Sequence, residues 1–322
     1  MDFVKLNDII KSAGNILIIS HINPDGDTLG AMCGLYNGIK KNFKKKCDMA
    51  VLSKIPEIYR FLPDSLSAKL IDDIDKSLVY DVVICVDVAA RNRIESAAML
   101  FDKAGYTINI DHHKTNTKYA DLNIIDANAS SSGELLYNIM KFLNWEINTK
   151  TAMCLYTAIL TDTGSFRFGN TTPQTFKTAA ELSALGIDTV EIYKNCYETN
   201  SKNLVMFQAY CISNAKFSDN DKIAYSLIYK KDIEKFAAGE DCTEGLAEKL
   251  RSIETTKIAF IVKQSSTKIS KISMRSKDID VSAICGVFGG GGHSAAAGCV
   301  IKASVDNAAQ KILKEIRKRD LL

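Results

Sequence analysis

Apolar positions follow two rhythms in the first half of the chain. Residues 15–20 (NILIIS) form a solid apolar run without alternation, the pattern of a strand buried on both faces. Residues 28–43 then repeat their apolar positions at helical spacing. Residues 47–53 (CDMAVLS) read as a second strand, and 82–87 (VVICVD) as a third that ends on an acid. A fourth, TINI (107–110), is followed by Asp111. Residues 131–143 (SSGELLYNIMKFL) predict a helix with Ser131 or Ser132 as its cap and Glu134 in its first turn. Residues 151–163 are apolar around much of their helical surface, which predicts a buried helix. This alternation predicts an α/β fold with a mostly parallel sheet flanked by helices. In such sheets ligands bind beyond the carboxyl ends of the strands. His21, Asp25, Asp87 and the triplet Asp111, His112 and His113 all fall at such ends.

From about residue 174 to 214 the pattern is helical and loses strand character. A second, smaller αβ unit follows: a strand at 222–229, helix over 232–251, a hairpin at 257–264 and 268–276, a short helix at 280–288, a strand near 298–302 and a basic final helix to Arg319. The expected division is a catalytic unit at 1–186, a helical linker at 187–214 that serves as a hinge, and a second unit at 215–322.

Composition narrows the setting. A chain of 322 residues suits two domains. Its 46% apolar and 25% charged residues are those of a globular protein. No apolar run reaches the ~18 residues of a membrane span, and the first residues lack a signal peptide's apolar core. A cytoplasmic location without membrane partners is expected. Nine scattered cysteines with no CxxC pair predict neither a disulfide framework nor a thiolate zinc site. The net charge of +3 does not by itself mark a nucleic-acid binder, and the lysines at 40–46 read as a solvated helix end.

All four histidines lie in motifs that suit chemistry: HINPDGD (21–27), INIDHH (108–113) and FGGGGHSAAAG (288–298). Pro24 and Gly26 bend the first loop so that Asp25 and Asp27 reach two neighbouring points. The plainer use of that loop is a turn with Asp27 capping the next helix. Adjacent His112 and His113 cannot point the same way on extended backbone, so one suits a ligand role and the other a substrate-facing acid. Asp162, at a helix end before Gly164, adds a further acid, and Arg167 is a candidate phosphate contact. Six candidate ligands result: His21, Asp25, Asp27, Asp87, His112 and Asp162. One ion rarely takes six protein ligands and stays open for catalysis. Two divalent ions ~3.5–4 Å apart fit better. Mixed carboxylate and imidazole ligation suits manganese, with magnesium or cobalt as alternatives. In the second unit, side-chain-free amides of the glycine run can form an anion-binding nest, with His293 and Arg275 nearby.

HINPDGD, strand-end Asp87, DHH at 111–113 and TDTGSFRF resemble, in order, the four motifs of the DHH phosphoesterases. FGGGGHSAAAG resembles the GGGHxxAAG signature of their DHHA1 domain. The resemblance spans nearly the whole chain, and the layout is similar to the stand-alone nanoRNase and pAp-phosphatase subgroup (NrnA-type). Ala31 departs from the serine that the family often carries. The resemblance implies that His21 and Asp25 bind one manganese, that Asp27, His112 and Asp162 bind the other, and that Asp87 bridges both. It further implies that His113 faces the scissile phosphate, that Asp111 orients a histidine through its other ring nitrogen, and that Arg275, Gly291, Gly292 and His293 bind substrate. The implied activity is hydrolysis of short single-stranded oligoribonucleotides to mononucleotides, and of 3′-phosphoadenosine 5′-phosphate (pAp) to AMP, by two-metal in-line hydroxide attack as the two lobes close. The alternative is a stand-alone phosphodiesterase for cyclic-di-AMP or pApA. The family also suggests a homodimer.

Overall fold

The structure, a computed structural model, describes residues 2–239 and 242–321. The chain divides into two compact units, Met1–Thr199 and Asn200–Leu322.

The first unit contains α1 (Phe3–Ser12), β1 (Asn15–Ile19), α2 (Gly26–Phe43), β2 (Lys46–Val51), β3 (Lys69–Leu70), β4 (Val82–Val86), α3 (Ala98–Lys103), β5 (Tyr106–Asp111), β6 (Leu122–Ile125), α4 (Ser132–Phe142), α5 (Thr149–Asp162), α6 (Pro173–Ser183) and α7 (Thr189–Tyr197). Its six strands are all parallel, in the order β3-β2-β1-β4-β5-β6. The solid apolar runs have the expected cause. Ile16 and Ile18 of β1 enter one core while Leu17 and Ile19 enter the core on the other face, and β4 splits in the same way. Sequence order reverses between β1 and β4, so the loops beyond their carboxyl ends diverge and leave a crevice.

The predicted strand–helix alternation breaks between β2 and β4. There the chain forms 3₁₀ turns at Glu57–Tyr59, Ser65–Ser67 and Ile71–Asp73, with the two-residue β3 between the last two. Pro56 and Pro63 interrupt any helical run in this stretch. Strand β6 was not expected, because LNII is short and follows a polar stretch.

Helices α2, α4 and α5 pack unusually closely. A Cβ on Gly30 would lie 2.5 Å from the Cys154 carbonyl oxygen, and one on Gly133 would lie 2.4 Å from Ala158 Cβ. These glycines allow the close approach that sets Asp27 of α2, the N-terminus of α4 and Asp162 of α5 side by side.

The second unit contains α8 (Lys202–Ser213), β7 (Lys216–Ser218), β8 (Ile223–Ile228), α9 (Lys230–Phe236), α10 (Leu246–Arg251), β9 (Ile258–Ser266), β10 (Ile269–Ser276), α11 (Val281–Gly286), β11 (Gly291–His293), β12 (Ala296–Ile301) and α12 (Val305–Lys318). Its mixed sheet has the order β11-β12-β10-β9-β8-β7, and β8 pairs with β9 in parallel. Ile258, Phe260 and Val262 of β9 face one core, and Ala259 and Ile261 the other. The helix expected over 232–251 is instead two short helices. Ala237 ends α9 in the left-handed region, and Gly239 and Gly245 also have positive φ. Residues 240 and 241 lie outside the described residues. The glycine run is partly a strand: Gly291–His293 pair with β12.

Candidate active site

The loop after β1 delivers His21 and Asp25. Asp25, not Asp27, caps α2, accepting from the Thr28 backbone N–H at 3.0 Å. Asp27 sits in the first turn, almost wholly buried, and points at the start of α4. There Ser132 N–H donates to its Oδ2 at 2.8 Å and Gly133 N–H to its Oδ1 at 3.0 Å. The amides of a helix N-terminus thus hold this carboxylate.

Asp87 follows β4 and adopts φ +60°, a left-handed conformation that aspartate tolerates better than most residues. It lies at the centre of the cluster. Its Oδ2 accepts from Thr28 Oγ1 at 2.6 Å and lies 3.6 Å from His21 Nε2. Its Oδ1 accepts from Ser132 Oγ at 3.0 Å and lies 3.7 Å from His112 Nε2 and 3.5 Å from His113 Nδ1.

His112 and His113 follow the end of β5. Contrary to the divergence expected of extended backbone, their rings meet edge to face, centroids 4.7 Å apart, because the chain has left the strand there and both turn towards Asp87 Oδ1. Nε2 of His112 faces three carboxylates at nearly equal range: Asp27 at 3.6 Å, Asp87 at 3.7 Å and Asp162 at 3.8 Å. Its Nδ1 lies 3.3 Å from the Ala129 carbonyl oxygen. His113 Nδ1 lies 2.7 Å from Oδ1 of Asp111, whose Oδ2 accepts from Asn116 Nδ2 at 2.5 Å. Asp162 ends α5, and Asn170 Nδ2 donates to its Oδ2 at 3.0 Å.

Electrostatics mark the cluster as strained without cations. Burial, then the charges of Asp87, Asp162 and Asp25, push Asp27 well above the usual carboxylate range. Burial likewise lifts Asp162 to about 6, against the pull of His112. Burial acts in the same direction on Asp87, but its close contact with His21 and the charges of the three histidines outweigh it and hold it well below the usual range. Burial pulls His113 down, yet Asp111 and Asp87 raise it to about 9.

Ligand atoms of His21, Asp25 and Asp87 lie within 4.8 Å of one another, as do those of Asp27, His112 and Asp162 and those of Asp87, His112 and His113. Carboxylate oxygens and imidazole nitrogens are the donors that divalent cations favour, and a carbonyl behind a ligating imidazole fixes its orientation. The donor set therefore fits a pair of divalent ions. All nine cysteines are free and buried, and among the described residues none belongs to these clusters.

In the second unit, Arg275, Ala296 and His293 share one row across β10, β12 and β11. The Arg275 guanidinium is engaged by Glu248 Oε1 at 2.5 Å. Gly291, Gly292 and His293 are exposed. Gly292 has φ +144°, and a Cβ there would lie 2.5 Å from the Ala296 carbonyl oxygen. Arg167 folds back so that its Nε donates to the Gly164 carbonyl at 2.7 Å.

Three contributors escaped the sequence reading. Thr28 Oγ1 lies within hydrogen-bond range of His21, Asp25 and Asp87 together. Ser132 binds both Asp27 and Asp87. Asn170 ties Asp162 to the Ser130 carbonyl, its Nδ2 donating there at 2.9 Å. Thr28 directly follows the Asp-rich loop, which was the available signal. Nothing local flags Ser132 beyond a cap, or Asn170 at all.

Residues 15–159 match the model of the DHH family N-terminal domain, and 220–319 match the DHHA1 domain. The chain belongs to the DHH/DHHA1 phosphoesterases, hydrolases of phosphoester bonds that depend on divalent metals. It is 30% identical to the bifunctional oligoribonuclease and PAP phosphatase NrnA of Bacillus subtilis over 292 residues, covering 89% of both chains. It is 27% identical to the protein of the same name from Thermus thermophilus, covering 97% of this chain and 92% of that one. Among solved structures, an exopolyphosphatase-related protein from Bacteroides fragilis superimposes with a TM-score of 0.93 at 26% identity, covering 98% and 95% of the two chains. Among the described residues, no helix is long and apolar enough to cross a membrane.

Proposed function

We propose that the chain is a cytoplasmic, manganese-dependent hydrolase that shortens oligoribonucleotides of a few nucleotides to mononucleotides and converts pAp to AMP. The observation that carries this reading is the convergence of Asp27, Asp87 and Asp162 oxygens on His112 Nε2, in a chain similar over most of its length to enzymes named for those two activities.

His21, Asp25 and Asp87 would hold one ion, and Asp27, His112, Asp162 and Asp87 the other. Magnesium or cobalt would suit the same donors. When bound, the pair supplies Lewis acidity at the phosphoryl oxygens and ionises water near neutral pH. The chain's own residues then divide the remaining work. Ser132, Gly133 and Thr28 fix the carboxylates before substrate arrives, so no reorganisation is needed as charge develops. Asp111 keeps the His113 imidazolium charged and oriented, which suits it to neutralise a phosphoryl oxygen or to protonate the leaving oxygen. Gly291, Gly292 and His293 would bind a substrate phosphate, and Arg275 would join them on release from Glu248.

The donors are equally compatible with a phosphodiesterase for cyclic-di-AMP or pApA. Turnover of pAp, a trinucleotide RNA, pApA, cyclic-di-AMP and a long RNA, measured side by side with manganese, separates the two. Faster hydrolysis of pAp and the trinucleotide supports the proposal, and preference for cyclic-di-AMP overturns it. His293→Ala should weaken substrate binding while leaving metal content intact.

A further inference from the structure

The basic final helix is a feature that the catalytic reading leaves unused. Asn200–Leu322 carry 20 Lys and Arg against 14 Asp and Glu, a net +6, whereas the whole chain is +3. Residues 1–199 are therefore net −3. The basic surplus is not spread evenly. A groove of about 620 Å³ is formed by the β9–β10 turn, the end of β12 and the first turns of α12. Lys268, Lys302, Lys311 and Lys314 line it, with the amides of Asn307 and Gln310, and no carboxylate does.

Charges on α12 are sorted. Its apolar face, with Ala308, Ile312 and Ile316, is buried in the core. Arg317 is bound to Asp219, and Arg319 to Glu315. Asp306 accepts from the Tyr229 hydroxyl. The side chains of the two lysines that face the groove, and of the two that meet them from the strand ends, make no ion pair or hydrogen bond among the described residues. Four unneutralised ammonium groups around one depression focus a positive potential. The N-terminus of α12, whose Ser304 makes no side-chain cap bond, adds partial positive charge to the same place.

Lys268 precedes β10, and Arg275 lies near that strand's far end. Seven residues of strand separate them by roughly 23 Å, so the groove is distinct from the Arg275–His293 row.

We propose that this groove binds the phosphodiester backbone of a single-stranded nucleic acid. Flexible lysines read charge rather than a fixed fork geometry, and Asn307 and Gln310 add hydrogen bonds to sugar or phosphate oxygens. Acidic peptides match the charge too. However, no aromatic or large aliphatic side chain lines the groove to hold a peptide's apolar residues.

The test uses the full chain in EDTA, so that a bound strand is not hydrolysed. Fluorescence anisotropy follows an end-labelled single-stranded RNA about 12 nucleotides long, within known single-strand site sizes, across a salt series. Lys311→Gln/Lys314→Gln should weaken binding about tenfold and reduce the salt slope by about 1.4, the value for two lost phosphate contacts on a single strand. Hydrolysis of pAp with manganese should be unchanged, which also shows that the variant folds. Lys230→Gln/Lys231→Gln in the same unit serves as the charge-matched control. Equal losses in the two variants would assign binding to net charge and overturn the site. An unchanged affinity and slope in the groove variant would do the same. Polyglutamate competing as well as RNA would move the surface to acidic proteins and overturn the nucleic-acid assignment.

Discussion

Asp111 and His113 face each other two residues apart, with Oδ1 2.7 Å from Nδ1. Against the opposing effect of burial, this contact and the Asp87 charge raise the His113 pKa from 6.5 to about 9. The stabilisation it contributes is fully present below pH 6.5 and is lost as pH rises through 9. In the metal-free protein, His113 should titrate near 9 by NMR. Asp111→Asn should move that titration towards 6.5 and remove the associated stability, in full below pH 6.5 and by a shrinking amount as pH rises to 9. An unmoved titration would show that Asp111 does not hold the charge.

The raised acids run the other way. Burial and mutual repulsion lift Asp27, and burial lifts Asp162 to about 6. A carboxylate with a raised folded pKa costs the metal-free protein stability that is absent below pH 3.8, grows up to about 6 and persists above it. Metal binding relieves that cost and displaces the protons. The rise in Tm on adding manganese should therefore be larger at pH 8 than at pH 5. Equal shifts at the two values would count against these acids as ligands.

Asp87→Asn keeps the shape and tolerates the left-handed backbone, but it removes one of the four carboxylate charges available to the cations. Hydrolysis of pAp should fall by about a thousandfold, the upper range for loss of one preorganised electrostatic group. Metal bound per chain, measured on dialysed protein, should fall as well. Turnover near the wild-type rate would remove Asp87 from the bridging role.

Gly30→Ala tests the helix seam. A Cβ there meets the Cys154 carbonyl at 2.5 Å and Ala158 N at 2.8 Å, so α2 and α5 must part. The expected loss in urea unfolding is about 1–3 kcal/mol. Metal affinity should weaken too, because α2 carries Asp27 and α5 carries Asp162.

Much of this was legible in the chain itself. The solid runs at 15–20 and 82–87 announced two-faced strands, because parallel sheets bury both faces. Acids just past those runs announced the crevice. The stretch from 52 to 81 was opaque, since 3₁₀ turns have no long period to detect. Which loop acid caps α2 was unreadable because Asp25 and Asp27 have the same cap chemistry, and only the approach of α4 claims Asp27. Ser132 and Asn170 act across distances of 45 and 8 residues to Asp87 and Asp162, and no local spacing encodes such pairings. In the second unit, Gly239 and Gly245 turned an apparently continuous helix into two.

The left-handed backbone at Asp87 restricts what can replace it. Glutamate would keep the charge but strain the main chain, whereas asparagine fits the main chain and loses the charge. A lineage drifting at this position therefore passes most easily to a chain that still folds and no longer turns over. Inactive copies of this scaffold would survive as intact proteins rather than be cleared as misfolded ones. Asparagine at the position equivalent to 87 would be their mark.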